Sequence, residues 1–184
     1  MTTRLTLHAA PSAGFDEPFE MLLACHQRVE RMLGLLERLA VHLDARGCDA
    51  AARQAAQDVM RYFDLAGPAH HEDEERHVLP LLAASPDPTL RALALRLQHD
   101  HRAMGAQWRD VRADLAAVAE DRWPAAPDAA HAARWRGFAA LYRDHVRAEE
   151  GQAYPAAQAR LDGPAEAAMG REMAARRGAA TTTV

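Results

Sequence analysis

The sequence predicts an all-α protein folded as an up-down-up-down four-helix bundle, and three observations carry that prediction. Alanine, leucine and arginine dominate and aromatic residues make up only 5%, which favours packed helices over strands built from β-branched and aromatic residues. Four long stretches each carry one apolar seam at alternating spacings of three and four, the pattern of a helix with one buried face. The breaks between them are short and rich in turn residues, so consecutive helices are expected to run antiparallel as neighbours.

Residues 1–14 read as a flexible arm ending in Pro11-Ser12-Ala13-Gly14, residues 15–161 as the bundle, and residues 162–184 as a partly disordered C-terminal extension. The first helical stretch, 16–45, has the seam Leu22, His26, Val29, Leu33, Leu36, Ala40, Leu43. Arg46-Gly47-Cys48-Asp49 ends it. The second, 50–84, has the seam Val59, Phe63, Ala66, His70, Glu74, His77, Leu81, and its Gly67-Pro68 is expected to kink it. After Ser85-Pro86-Asp87-Pro88 the third, 87–120, runs through Leu90, Ala94, Leu97, His101, Met104, Trp108, Val111, Leu115 and Val118. Past Trp123-Pro124-Ala125-Ala126-Pro127-Asp128 the fourth, 128–161, carries Trp135, Phe138, Tyr142, His145, Glu149 and Gln152. Asp49, Asp87 and Asp128 are the expected N-caps. A short helix is expected at 165–177, after Asp162-Gly163-Pro164.

Composition excludes several partners. Net charge is −4 with acidic and basic residues interspersed, and the Arg171, Arg176, Arg177 cluster is too short to read as a nucleic-acid surface. No 18 apolar residues run together and Met1 to Gly14 lacks a signal-peptide core, so the expectation is a cytoplasmic chain without membrane association. Cys25 and Cys48 form neither a CxxC nor a zinc spacing and read as reduced structural thiols.

Histidine and glutamate interrupt the apolar seams on all four helices. Each buried polar group left unpaired costs about 1–3 kcal/mol, against a net stability of about 5–15 kcal/mol for a small domain. A pair of metal ions would satisfy the carboxylates and the imidazole lone pairs together. An internal repeat selects the ligands. An offset of 75 residues relates His26 to His101, His70 to His145, Glu74 to Glu149 and Pro80 to Pro155. Leu22 with Leu97, Val29 with Met104, Leu33 with Trp108 and Phe63 with Phe138 follow the same offset. It sets aside His71, His77 and His99, whose counterparts are Val146, Gln152 and Ala24; His8, His42 and His131 lie off the seams. These six read as surface, supporting or incidental histidines.

The predicted metal ligands are therefore His26, His70, Glu74, His101, His145 and Glu149. Residues four apart share a helix face about 6 Å apart along the axis. A histidine then binds one ion while the glutamate a turn later reaches across to bridge both. In the expected topology the second and fourth helices are diagonal, so their His-x-x-x-Glu motifs face each other. His26 and His101 complete two imidazoles per ion, an oxide or hydroxide bridge adds a fifth ligand, and each ion keeps one open position. Iron, manganese and zinc all suit such a set.

The run His70-His71-Glu72-Asp73-Glu74-Glu75-Arg76-His77-Val78-Leu79-Pro80 resembles the second-helix signature of the hemerythrin-like, HHE cation-binding family. His145 to Pro155 resembles its fourth-helix counterpart, Gln98 to Met104 its third, and Cys25-His26 its first. The resemblance implies a hemerythrin-like bundle with a non-haem pair of Fe ions bridged by oxide or hydroxide. Oxygen-carrying hemerythrins have a further histidine where this chain has Gly105, and an aspartate where it has Glu150. The four-His, two-Glu set instead resembles bacterial proteins of nitrosative and oxidative stress and of iron–sulfur repair. The implied function is binding of iron and of O₂, NO or peroxide, in sensing, storage or stress response. The alternative is a di-iron enzyme of peroxide or NO detoxification or of iron–sulfur centre repair, for which the short arm lacks the usual Cys-containing domain. A ferritin-like site would need Glu-x-x-His twice; Glu74 to His77 supplies it once and Gln152 stands at the second place. A metal-free bundle acting as a protein partner leaves six polar seam residues unexplained.

Overall fold

The computed structural model describes residues 14–124 and 129–178, and among these there is no strand. The helices are α1 (Pro18–Arg46), α2 (Ala50–His77), α3 (Leu79–Ala83), α4 (Pro88–Ala119), α5 (Ala129–Ala148), α6 (Tyr154–Gln158) and α7 (Gly163–Arg176). A π-helical turn, Glu149–Ala153, joins α5 to α6. Around the bundle α1 packs on α2 and α5, α2 on α4, and α4 on α5. That leaves α2 diagonal to α5 and α1 diagonal to α4, as the short connections require.

Two of the expected caps are made. Asp49 accepts from the Ala52 N–H and Asp87 from the Thr89 N–H; Asp128 lies outside the described residues. Asp162 caps α7 in the same way, accepting from the Ala165 N–H. The second helix runs through Gly67-Pro68 without ending, with Pro68 on the exposed side.

The second and fourth stretches break instead beyond their glutamates, and the 75-residue offset explains where. Pro80 and Pro155 each lack an N–H and clash with the carbonyl four residues back, so neither helix continues unaltered. In the first half α2 stops at His77 and α3 restarts with the proline in its first turn. In the second half the chain widens, and the Tyr154 N–H bonds to the Glu149 carbonyl five residues back. This turn shifts the register: Gln152, expected on the seam, is exposed, while Ala153 and Tyr154 are buried. Elsewhere the seams hold with small rotations. Leu39 is buried where Ala40 was expected, and Leu82 rather than Leu81.

Two apolar clusters fill the bundle. One joins Val29, Leu33, Phe63, Met104, Val111, Phe138 and Tyr142. The other joins Phe19, Leu22, Val78, Leu82, Leu97, Ala153, Tyr154 and Met173. On every bundle helix the polar intruders fall between the two. His26 follows Leu22 and precedes Val29; His101 lies between Leu97 and Met104. Both thiols are free: Cys25 is buried and Cys48 donates to the Val118 carbonyl at 3.3 Å. Among the described residues no helix is long and apolar enough to cross a membrane.

Candidate metal centre

The layer between the two apolar clusters contains His26, His70, Glu74, His101, His145 and Glu149, each at most 5% exposed. Helix α1 supplies His26, α2 supplies His70 and Glu74, α4 supplies His101, and α5 with its π turn supplies His145 and Glu149. In each of two groups, one nitrogen or oxygen per residue lies within 4.8 Å of all the others: His26, His70, Glu74 and Glu149, then Glu74, His101, His145 and Glu149. The two carboxylates belong to both groups. All six residues singled out by spacing and offset are thus brought together.

Distances within the layer are short. Glu74 Oε1 lies 3.2 Å from His70 Nε2, and Glu74 Oε2 lies 3.3 Å from His101 Nε2. Glu149 Oε1 lies 2.9 Å from His145 Nε2, and Glu149 Oε2 lies 3.2 Å from His26 Nε2. Yet Glu74 Oε2 and both Glu149 oxygens make no hydrogen bond to the described residues despite these short approaches. The Nε2 atoms of His101 and His145 meet at 3.1 Å. Lone pairs aimed at shared points, not at one another's protons, suit cations placed between them. The donor set fits two ions.

The buried charges are unevenly distributed without metal. Burial and the charge of Glu74 push the Glu149 carboxyl well up. Burial acts the same way on Glu74, but the neighbouring imidazoles outweigh it and lower its carboxyl. Burial drives His70 down to about 3, leaving it neutral and ready to coordinate. For His26 and His101 burial is outweighed by carboxylate contacts, from Glu149 and Glu74 respectively, and both are raised.

Carboxylates outside the layer orient the imidazoles. His26 Nδ1 bonds Glu150 Oε1 at 2.9 Å and His101 Nδ1 bonds Glu75 Oε1 at 3.0 Å. Each Nε2 is thereby left facing inward. Sequence reasoning assigned neither glutamate a place at the site, although the same 75-residue offset pairs them. His145 Nδ1 lies 3.5 Å from Asp100 Oδ2; the offset gives no signal for Asp100, because its counterpart is Cys25. Tyr154 places its hydroxyl 3.0 Å from His26 Nε2 and donates a hydrogen bond to Glu74 Oε1.

The histidines set aside by the offset lie elsewhere. His71 stacks on His101 with ring centroids 4.1 Å apart, His77 bonds Glu172, His42 bonds Asp49, and His99 is exposed. His131 is 4% exposed and packs against Trp123 and Trp135, which corrects its reading as a residue away from the core. His8 lies outside the described residues. A cleft of about 280 Å³ between α1 and α5, lined by His26, Val29, Leu33, Arg143 and Val146 among others, reaches the layer from outside.

A four-helix bundle with two donor groups sharing a pair of carboxylates is the architecture of a cation-binding bundle. The chain belongs to the hemerythrin HHE cation-binding domain family, whose profile matches residues 17–157. It is also 31% identical over 103 residues to an uncharacterised protein of Haemophilus influenzae, covering 56% of this chain. The match spans 59% of that relative's length.

Proposed function

We propose that this chain holds two iron ions, one in each donor group, and binds a small ligand there: O₂, NO or peroxide. The observation behind this reading is the sharing of Glu74 and Glu149 by two otherwise separate imidazole pairs. Imidazole and carboxylate donors also suit manganese and zinc; the resemblance to four-His, two-Glu hemerythrin-like proteins favours iron. Bound iron would supply a redox couple and open coordination positions for the ligand.

The protein's own residues do the rest. Glu75 and Glu150 hold His101 and His26 in the tautomer with a free inward nitrogen. Phe63, Tyr142 and Leu97 on either side of the layer keep water out. The cleft beside His26 gives a small molecule a way in. These features fit a sensor, store or scavenger in the response to oxidative or nitrosative stress. One observation bears on the enzymatic alternative: the Tyr154 phenol is buried in the layer beside His26, where it stays protonated and can serve as a hydrogen-bond donor.

Anaerobic reconstitution with ferrous iron, followed by elemental analysis, should return close to two irons per chain. Zinc or no metal would sink the di-iron reading. Mixing the ferrous protein with O₂ and purging with argon should not restore the starting spectrum, and the reduced protein should bind NO. Full recovery over repeated cycles would indicate a reversible oxygen carrier instead; catalytic turnover of peroxide or NO would establish the enzyme.

A further inference from the structure

The 75-residue offset makes the two donor groups near-copies, and they differ in how one imidazole of each is supported. His26 and His101 are equivalent and both are held: Nδ1 of each bonds a carboxylate, Glu150 and Glu75, themselves equivalent. His70 and His145 are equivalent but not alike. Nδ1 of His145 faces Asp100 Oδ2 at 3.5 Å, and Asp100 is buried at 8% exposure. Nδ1 of His70 is buried and has no hydrogen-bond partner among the described residues. The residue equivalent to Asp100 is Cys25, whose side chain cannot supply a carboxylate.

The consequence follows from imidazole chemistry. An ion on Nε2 fixes the proton on Nδ1 and makes that N–H a stronger donor. At His145 the donor finds an anionic acceptor, so the long contact to Asp100 has reason to tighten on loading. The carboxylate in turn makes the ring a better ligand. At His70 the same proton is pinned in a buried position with no acceptor among the described residues, which opposes loading.

We propose that the two ions are held unequally, with the His101–His145 group gripping its ion roughly 10- to 100-fold more tightly than the His26–His70 group, and that Asp100 is the positioning residue responsible. The proposal rests on the two-ion reading. Under it the His101–His145 ion is the permanent one, and the His26–His70 ion is the one gained last and lost first.

The test uses cobalt(II) as a spectroscopic probe, titrated in competition with a chelator of known affinity. His70→Ala should leave one ion in the His101–His145 group, and His145→Ala one ion in the His26–His70 group. The His70→Ala protein should bind its ion 10- to 100-fold more tightly. Adding Asp100→Ala should remove most of that advantage in the His70→Ala protein and leave the His145→Ala protein unchanged. A purely structural role for Asp100 would weaken both, and that result overturns the proposal. Circular dichroism follows the fold throughout. Should Asp100→Ala unfold the chain, Asp100→Asn keeps the shape and an acceptor oxygen but not the charge, and should lower affinity in the His70→Ala background alone. Equal affinities in the two single variants would overturn the inequality while leaving the two-ion reading intact. A wild-type chain that takes up fewer than two ions would overturn both.

Discussion

The two halves of this bundle agree where a metal would be touched and differ almost everywhere around it. His26, His70 and Glu74 in the first half match His101, His145 and Glu149 in the second, with Glu75 and Glu150 as matching supports. Beyond that layer the copies diverge. The first half leaves its glutamate through a helix break at Val78, the second through a π turn that brings Tyr154 inward where the first half has Leu79. The first half is also covered by α7, whose Arg176 and Arg177 pair with the fully buried Asp73 and whose Glu172 bonds His77. The equivalents of Asp73 and His77 are Ala148 and Gln152, so these two contacts have no counterpart in the second half. A duplicated plan is thus kept where geometry is demanding and is free to drift where a bundle needs only apolar contact.

The shared carboxylates give the largest effect. Glu74→Ala should strip both ions, because it serves both groups, whereas His70→Ala and His145→Ala should each leave about one. Elemental analysis decides it, and a Glu74→Ala protein that keeps two ions would show that the groups do not share their bridge. Removing metal from the wild type comes next. A ligand bound only by the folded state adds roughly 4 kcal/mol at a thousandfold excess over its Kd. Chelation should therefore lower the melting temperature on the order of 10 °C for a chain of this size. An unchanged melting curve after verified metal removal would mean that Glu74 and Glu149 are satisfied within the protein.

Tyr154 tests the divergence of the two exits. Its hydroxyl serves His26 and Glu74 when no ion does. Tyr154→Phe should destabilise the metal-free protein by about 1–3 kcal/mol, and the loaded protein by clearly less. Denaturant titrations of both forms check this, and equal losses would remove the phenol from any role at the empty layer.

The smallest effect concerns α7. Arg176 contacts, with His77 beside them, hold the Glu172 carboxyl down at about 2, against an ordinary value of 4.5. A depressed folded value means stability that is present above pH 4.5 and is lost as pH falls toward 2. Because the group is partly exposed, solvent and salt weaken the effect. Amide protection in α7, corrected for the intrinsic pH dependence of exchange, should fall across that window in the wild type and vary less with pH in Glu172→Gln. Identical pH profiles would show that this contact does not anchor the helix.

Much of the molecule was legible in the chain because both signals it carries are local. Seams at spacings of three and four report which helix face is buried, and turn residues such as Gly47 and Pro86 mark the ends. The repeat then singled out six residues that the fold brings into one layer. What it failed to single out is equally instructive. Glu75 and Glu150 look like solvent-facing charges, and only the crossing of helices shows that each reaches an imidazole on a neighbouring helix. His131 was set off the seams yet is buried against Trp135, one turn along the same helix, and Trp123 from the connection before it.

By itself, then, the order of residues determined the helices, their antiparallel succession and the six polar residues of the buried layer, because each depends on spacing along one chain. The tertiary structure decided how the chain passes its two prolines. A break at one and a widened turn at the other both relieve the same lost N–H, and packing at the end of the bundle selects between them. It also decided which nitrogen of which histidine finds a carboxylate. Hydrogen-bond partners on different helices meet only when the bundle closes, so Asp100 beside His145 and the unpartnered Nδ1 of His70 are properties of the folded chain.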